Sequence, residues 1–253
     1  MGTPVAKSQP LSIESPTAKP EELIASPFFE DLVVAAKHTS LTEDLALTIL
    51  RRRDLQAAVL ESIGRNSSVI KHRKVLLGVV EHQRTPRHVS LPLLRRLFTF
   101  ELMQVALTPS VLADVKLVAE EVLVGKLETV SLGERIALAR QGSGKVAGAL
   151  LANAERAVIE AALQNPRMTE ASLVRALGRP GVATALLDVL VGHPKWSLRR
   201  EIQIGILRRP EADDSLVLKV AARLPKPAIH EVLRQFKLSS NRRRLLERTL
   251  LRT

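Results

Sequence analysis

The stretch "ALQNPRMTEASLVRAL", residues 162–177, has the pattern of a helix that ends, a short joint and a second helix that begins. Pro166 cannot continue a helical hydrogen-bond ladder, and its ring pushes the preceding Asn165 out of the helical region. The hydroxyl of Thr169 suits the N-cap of the helix that follows. Similar breaks are expected at Pro194 and Pro210. The stretch therefore predicts a chain of short helices separated by tight joints.

The composition favours an all-α fold with an aliphatic core. The chain has 253 residues, of which 45% are hydrophobic, but only one is Trp, five are Phe and none is Tyr. The chain has no cysteine, which excludes disulfides and thiolate metal sites and fits a reducing compartment. The N-terminus lacks the apolar region of a signal peptide, and no uncharged apolar run approaches the ~18 residues of a membrane span. These features predict a cytoplasmic protein without membrane insertion.

The sequence also resembles itself at long range. At a constant offset, "ALARQGSGKVAGALL" (137–151) aligns with "LVRALGRPGVATALL" (173–187), so that Gly142 meets Gly178 and Val146 meets Val182. Weaker copies end in leucines at wider, unequal spacings. The leucines that end the copies are Leu60, Leu107, Leu151, Leu187 and Leu233, which are 47, 44, 36 and 46 residues apart. Helical character with such a period predicts an α-solenoid.

The predicted organisation follows from these repeats. A segment with several prolines and serines, residues 1–20, is expected to be a disordered tail. Residues 21–253 are expected to form a single right-handed α-solenoid domain of about five degenerate two-to-three-helix repeats. The predicted units are 39–86, 87–129, 130–168, 169–211 and 212–253.

Local signals add three expectations about helix boundaries. A short helix is expected near residues 21–37. Ser131 with Glu134, and Ser40 with Glu43, have the spacing of a capping box at a helix start. In "LRREIQIGIL", residues 198–207, the apolar positions include Leu198, which is expected to face a neighbouring helix.

The repeats and the "LxNPxxTE" joint resemble the HEAT-type or armadillo-like α-helical repeat superfamily. The joint is also similar to the leucine-rich-repeat-variant class of bacterial helical arrays. The resemblance covers residues from about 39 to the C-terminus. It implies a curved scaffold that binds partners, but it specifies no partner because a fold does not determine a function.

No catalytic, cofactor or metal constellation stands out in the sequence. "GSGK" at 142–145 lacks the first glycine and the Ser or Thr of a phosphate-binding loop, and it aligns with an inter-helix turn. The six histidines lack the spacing that places two ligands on one helical face. We therefore expect a protein that is not an enzyme, with no cofactor and no metal.

The basic residues are the best candidates for a binding surface. The net charge of +12 is concentrated in residues 51–100, with 11 basic and 3 acidic side chains, and in residues 195–253, with 15 and 6. Many of these cations could simply stabilise helix C-termini, but Arg199–Arg200 and Arg242–Arg244 stand at expected helix starts, where the helix dipole disfavours them. The residues predicted to line one concave groove are Lys71, Arg73, Lys74, Arg199, Arg200, Arg242 and Arg243.

The expected function is a non-catalytic helical-repeat scaffold that binds another protein through this concave face. The partner would be acidic because the two basic blocks attract negative charge. The alternative is a nucleic-acid binder that follows a duplex backbone through phosphate contacts. A shortage of aromatic residues disfavours recognition of single-stranded RNA by base stacking.

Overall fold

The computed structural model describes Pro10 and residues 18–252. Within these residues the protein is all-α, with seventeen helices and no strand. This confirms the predicted all-α class. The predicted disordered tail, residues 1–20, lies mostly outside the described residues, but Pro20 is buried and begins the first helix.

The helices are short and follow one another through the described chain. In chain order they are α1 (Pro20–Ala25), α2 (Phe29–Lys37), α3 (Glu43–Leu50), α4 (Ala57–Arg65), α5 (Arg73–Glu81), α6 (Arg87–Leu94), α7 (Thr99–Leu107), α8 (Ala113–Lys126), α9 (Leu132–Gln141), α10 (Gly144–Leu150), α11 (Arg156–Leu163), α12 (Glu170–Leu177), α13 (Thr184–Gly192), α14 (Arg200–Leu207), α15 (Asp214–Ala221), α16 (Lys226–Gln235) and α17 (Ser240–Arg252).

The chain divides into two compact units, where the sequence predicted one domain over 21–253. The first unit ends at Leu123 and the second begins at Val124, within α8. In the first unit α1, α3, α5 and α7 pack in succession, and α2 packs on α4. In the second unit α9, α11, α13, α15 and α17 form one stack, and α10, α12 and α14 form another. Each stack therefore uses every second helix.

The stacking period differs from the period that the sequence suggests. The first residues of stacked helices lie 23 to 30 residues apart, from Pro20 and Glu43 at the short end to Glu43 and Arg73 at the long end. The five spaced leucines instead fall in or directly after every third helix, namely α4, α7, α10, α13 and α16. The self-similarity at offset 36 thus aligns helices of alternating stacks, because neighbouring short helices share the same apolar pattern. Each predicted unit contains three helices, whereas in the structure the helices of a stack are every second helix along the chain.

Most predicted helix boundaries agree with the structure. The Thr169 hydroxyl accepts a hydrogen bond from Ser172 N at 3.2 Å and caps α12. Ser131 and Glu134 form the predicted capping box of α9. The "GSGK" segment is a joint, because Gly142 ends α9 and the Ser143 hydroxyl caps α10.

Two of the boundary predictions were wrong. The predicted helix over 21–37 is two helices, because the chain turns extended at Ser26, directly before Pro27, and becomes helical again at Phe29. The cap of α3 is Thr42, whose hydroxyl accepts from Leu45 N, and not Ser40. Ser40 instead lies against the His38 ring, with its hydroxyl 2.7 Å from Nδ1.

The core is aliphatic, as the composition predicts. Leucine, isoleucine, valine and alanine make up nearly all buried apolar residues, together with Met168 and Trp196. Leu198, which was expected to be buried, is 73% exposed because α14 begins only at Arg200. The apolar stripe of α14 therefore starts later, at Ile202, which is fully buried.

Asn165 stabilises the joint between α11 and α12. Its side chain is buried, and its Nδ2 donates to Ala139 O at 2.8 Å and to Gly142 O at 3.0 Å. Its Oδ1 accepts from Arg167 N at 2.7 Å. Carbonyls at a helix C-terminus have no partner within the helix. Asn165, which follows α11, therefore caps the end of α9, the helix stacked next to α11.

The same link recurs at other joints. In the first unit Asn66 follows α4, and its Nδ2 donates to Ala36 O at 2.9 Å and to His38 O at 3.0 Å at the end of α2. In the second unit Trp196 Nε1 donates to Leu163 O at 3.1 Å, and Arg223 Nη1 donates to Val191 O at 2.9 Å. A joint side chain thus ties each of these stacked helices to the end of the previous one. This link positions successive helices in register within a unit.

Candidate interaction surface

The structure places the seven predicted basic residues at helix starts in both units. Lys71, Arg73 and Lys74 lie in the first unit, around the start of α5. Arg199 is the N-cap of α14, and Arg200 is its first residue. Arg242 and Arg243 lie in the first turn of α17. The prediction that all seven share one groove spans both units and stays a prediction.

Arg73 joins two stacked helices of the first unit. Its Nε donates to Glu101 Oε1 at 3.1 Å, and its Nη2 forms an ion pair with the other oxygen of Glu101 in α7. Its Nη1 donates to Arg96 O at 2.9 Å. The Cζ atom of Arg73 lies 3.9 Å from the centroid of the Phe98 ring. This guanidinium therefore supports the junction of α5 and α7 and also covers one side of an aromatic ring.

Two of the second-unit arginines also bond within the chain. Arg200 in α14 forms an ion pair with Glu231 in α16. Arg243 Nη2 donates to Leu233 O at 3.1 Å. These contacts explain how cations stand at helix starts: partners within the chain offset the unfavourable interaction with the helix dipole.

Arg242 lies inside the second unit rather than on its surface. Its side chain is buried, with the residue only 8% exposed, and burial lowers the pKa of the guanidinium, an effect that Asp214 and Asp213 oppose. Its donors bind main-chain carbonyls at the end of α14 and in the joint that follows, namely Leu207 O at 2.9 Å, Arg209 O at 2.9 Å and Ala212 O at 2.6 Å. Arg242 thus plays the structural part at its joint that Asn165 plays elsewhere. We leave it out of the candidate surface.

Other cations are neutralised by nearby carboxylates. Arg52 pairs with Asp54, and this hydrogen bond holds the pKa of Asp54 below its usual value. Arg209 pairs with Glu211 and lowers the pKa of that carboxyl. The number of basic residues in each block therefore overstates the charge that is available to a partner.

Three of the predicted residues are exposed, and their side chains form no hydrogen bond or ion pair with any described residue: Lys71, Lys74 and Arg199. The two lysines flank Arg73, which touches Phe98. Arg95 is a further exposed cation with no partner in residues 18–252, and it lies three residues before Phe98. The first unit therefore has exposed, unpaired cations next in sequence to the residues that form the Arg73–Phe98 contact.

Two exposed phenylalanines lie at the start of α7. Phe98, the N-cap of α7, is 64% exposed, and Phe100 is 41% exposed. None of the five phenylalanines of this aromatic-poor chain belongs to the buried core. Large apolar side chains that cluster on a surface with a polar rim are typical of interaction sites. We name this cluster the Phe98 surface; it consists of Lys71, Arg73, Lys74, Arg95, Arg96, Phe98 and Phe100.

The sequence prediction included the basic side of this surface but missed its aromatic side. "RRLFTFE", residues 95–101, contains the signal, since two phenylalanines follow two arginines in a chain with few aromatic residues. From sequence alone, a phenylalanine is normally expected to lie in the core. Only the structure shows that the core of the first unit closes without these rings.

The second unit has a smaller aromatic feature. The Cζ atom of Arg208 lies 3.9 Å from the centroid of the Phe236 ring, beside a pocket of about 160 Å³ between α12 and α14. Glu201 lines the same pocket, so its charge is mixed. The Phe98 surface is therefore the better defined of the two.

No protein-family model matches the chain, and neither a curated protein nor a solved structure does. Every helix of the described chain is too short or too polar to cross a lipid bilayer. The same residues bring together no group of three or more histidines or carboxylates that could hold a metal ion. The fold and the surface define an all-α protein of stacked short helices with an exposed aromatic and cationic cluster.

Proposed function

We propose that this chain is a non-catalytic helical-repeat scaffold that binds another protein. The observation that carries the proposal is the Phe98 surface, where exposed aromatic rings lie among unpaired cations on stacked helices. Aromatic residues, Phe included, and arginine are enriched at protein interfaces relative to the rest of the surface. Stacking of every second helix supports an α-solenoid arrangement within each unit, of the HEAT-type or armadillo-like kind that the sequence resembles.

Binding to a nucleic-acid duplex is the second candidate. It is favoured by the exposed lysines of the first unit and by Arg199 of the second. It is weakened because four of the predicted arginines bond to partners within the chain, namely Arg73, Arg200, Arg242 and Arg243. Each phosphate contact needs a cation that is free to neutralise a phosphate and so release counterions from the duplex, and fewer free cations therefore mean weaker duplex binding. We therefore rank protein binding first, and the cytoplasm stays the predicted compartment.

Quantitative pull-down with the full chain tests the proposal. Lysate from the native cell is passed over the wild-type protein, the Phe98→Ala variant and a Leu198→Ala control, which removes a similarly exposed apolar side chain from the second unit. We expect specific proteins that bind wild type and Leu198→Ala alike and that lose most of their signal with Phe98→Ala. A lysate in which no protein binds wild type above the level of an unrelated basic protein would contradict the scaffold function.

A salt titration separates the two candidates. Fluorescence anisotropy with a labelled duplex of generic sequence is measured from low to moderate salt. A phosphate-binding protein loses about a thousandfold or more in affinity between ~50 and ~200 mM salt. We expect no saturable duplex binding even at the lower concentration. Tight binding with that steep salt dependence would favour the nucleic-acid candidate instead.

A further inference from the structure

We infer that the Phe98 surface is a docking site for an acidic protein segment that carries a large apolar anchor residue. This inference rests on the proposed scaffold function and names the chemistry of the partner.

The aromatic part of the surface gives the apolar anchor a place to bind. Phe98 exposes 64% of its surface although its ring is held by Arg73, whose Cζ lies 3.9 Å from the ring centroid. A ring that is already positioned loses little conformational freedom on binding, so more of the apolar contact energy becomes affinity. Phe100, in the first turn of the same helix, adds a second exposed ring. An apolar side chain placed against the Phe98 ring would remove it from water.

The charge around the rings selects an acidic segment. Lys71, Lys74 and Arg95 are exposed and have no partner in the described chain. Two carboxylates that contact residues of this region, Glu101 and Glu43, already have partners. Glu101 accepts from Arg73 and from Phe98 N, and Glu43 lies 3.2 Å from Nδ1 of His72. The remaining field is positive, and it favours carboxylates on a partner and repels basic ones.

The geometry favours a peptide over a single-stranded nucleic acid. Phe98 is the N-cap of α7 and has an extended backbone, whereas Phe100 lies in the first turn of the helix. Among the described residues the two rings make no contact with each other, so they form no stacked platform for consecutive bases. The guanidinium of Arg73 also occupies one side of the Phe98 ring. A peptide side chain can approach the exposed edge, whereas sequence-tolerant binding of bases depends on open ring faces.

Peptide selection with the full chain tests this inference. A display library of random peptides of about twelve residues, a length typical of short recognition segments, is selected against wild type at low salt. The selection is repeated with Phe98→Ala and with a Lys71→Glu/Lys74→Glu double variant. The matched controls are Leu198→Ala and Lys226→Glu, which change an exposed apolar residue and an exposed lysine of the second unit. Far-UV circular dichroism checks that every variant is folded.

We expect the selected peptides to be rich in Asp and Glu and to contain at least one large apolar residue. Their affinity, measured by fluorescence polarisation, should fall about tenfold or more with either Phe98-surface variant and stay within about twofold for the controls. It should also weaken as salt is raised, since exposed charges are screened over about 10 Å at 0.1 M. Replacing the apolar residue of a selected peptide with serine should lower the affinity of that peptide by a similar factor.

Three outcomes would overturn the inference. The selection yields no peptides above background, the selected peptides lack an acidic bias, or their binding is equal in wild type and in both Phe98-surface variants. Binding of labelled oligouridine that is lost in Phe98→Ala would assign the surface to single-stranded nucleic acid instead. Failure of the scaffold function is distinguishable, because cellular proteins would then bind neither wild type nor variants. Partners that persist in Phe98→Ala would leave the scaffold function intact and place docking elsewhere.

Discussion

Replacing Asn165 with alanine is expected to destabilise the second unit by about 3 kcal/mol, since each of three buried hydrogen bonds contributes ~1 kcal/mol net. The three bonds join Asn165 to Ala139 O, Gly142 O and Arg167 N. Loss of Nδ2 would leave two carbonyls at the end of α9 without their donor. Because Asn165 is only 2% exposed, water cannot readily replace that donor.

Asn165→Asp separates the hydrogen-bond effect from the loss of volume. Aspartate has nearly the same shape and keeps the acceptor for Arg167 N, but it turns a carboxylate oxygen toward two carbonyl oxygens. We expect it to destabilise at neutral pH at least as much as alanine does. At low pH its destabilisation relative to wild type should shrink, because a protonated carboxyl restores one donor. The matched control is Asn153→Ala, since Asn153 is half-buried and its side chain accepts only the local Glu155 N at 2.9 Å.

Urea unfolding followed by tryptophan fluorescence measures these effects. Trp196 is the only tryptophan, it is buried, and it lies in the second unit together with Asn165. The control variant should lose less than about 1 kcal/mol, as expected for a half-exposed local bond. The reasoning is refuted if Asn165→Ala is as stable as Asn153→Ala, or if Asn165→Asp matches wild type at neutral pH.

Three further changes test other parts of the second unit. A Cβ on Gly144 would lie 2.7 Å from the main-chain oxygen of Arg167, so Gly144→Ala should lower the free energy of unfolding in urea by about 1–3 kcal/mol. Gly133→Ala, whose added Cβ has nothing within 4 Å, should stabilise slightly. Burial, and then Lys195, lower the pKa of His193, so the folded state favours the neutral ring. Its stabilising effect is complete above about pH 6.5 and is lost as pH falls. His193→Asn should therefore flatten the change in urea midpoint between about pH 7.5 and 5.5, and an unchanged slope would contradict this role. Arg242→Ala should lower the free energy of unfolding, measured by thermal denaturation, by about 2–4 kcal/mol because three carbonyls lose a donor. Arg243→Ala, which removes one such bond, should lower it by under about 1 kcal/mol. Equal losses in the two variants would contradict a structural role for Arg242.

Helix boundaries were the most predictable feature of this chain. Pro166, Thr169 and the Ser131–Glu134 pair lie where local chemistry places them, because caps and proline breaks depend on neighbours within a few residues. Prediction failed where two signals competed over a few residues, as at Ser40, where Thr42 supplies the cap instead. The helix boundary near Pro27 was also missed, because a single proline inside an apolar run does not by itself show that one helix ends and another begins.

The binding surface was less predictable than the helices. The basic residues were visible as runs, but their availability depends on contacts across about 30 residues of sequence, such as Arg73 with Glu101 and Arg242 with Leu207 O. The exposure of Phe98 depends on how the first unit closes its aliphatic core. Such long-range contacts leave no local pattern in a single sequence.

The sequence by itself determined the helical class, the aliphatic core and the position of most joints. These follow from side-chain volume, helix propensity and capping, which act within one or two helical turns. Only the tertiary structure decided that contacts recur after two helices rather than three, that Asn165 and Asn66 link stacked helices, and that Arg242 is buried while Phe98 is exposed. The physical reason is that every short helix carries a similar apolar stripe, so only the packing of whole helices selects which of them meet.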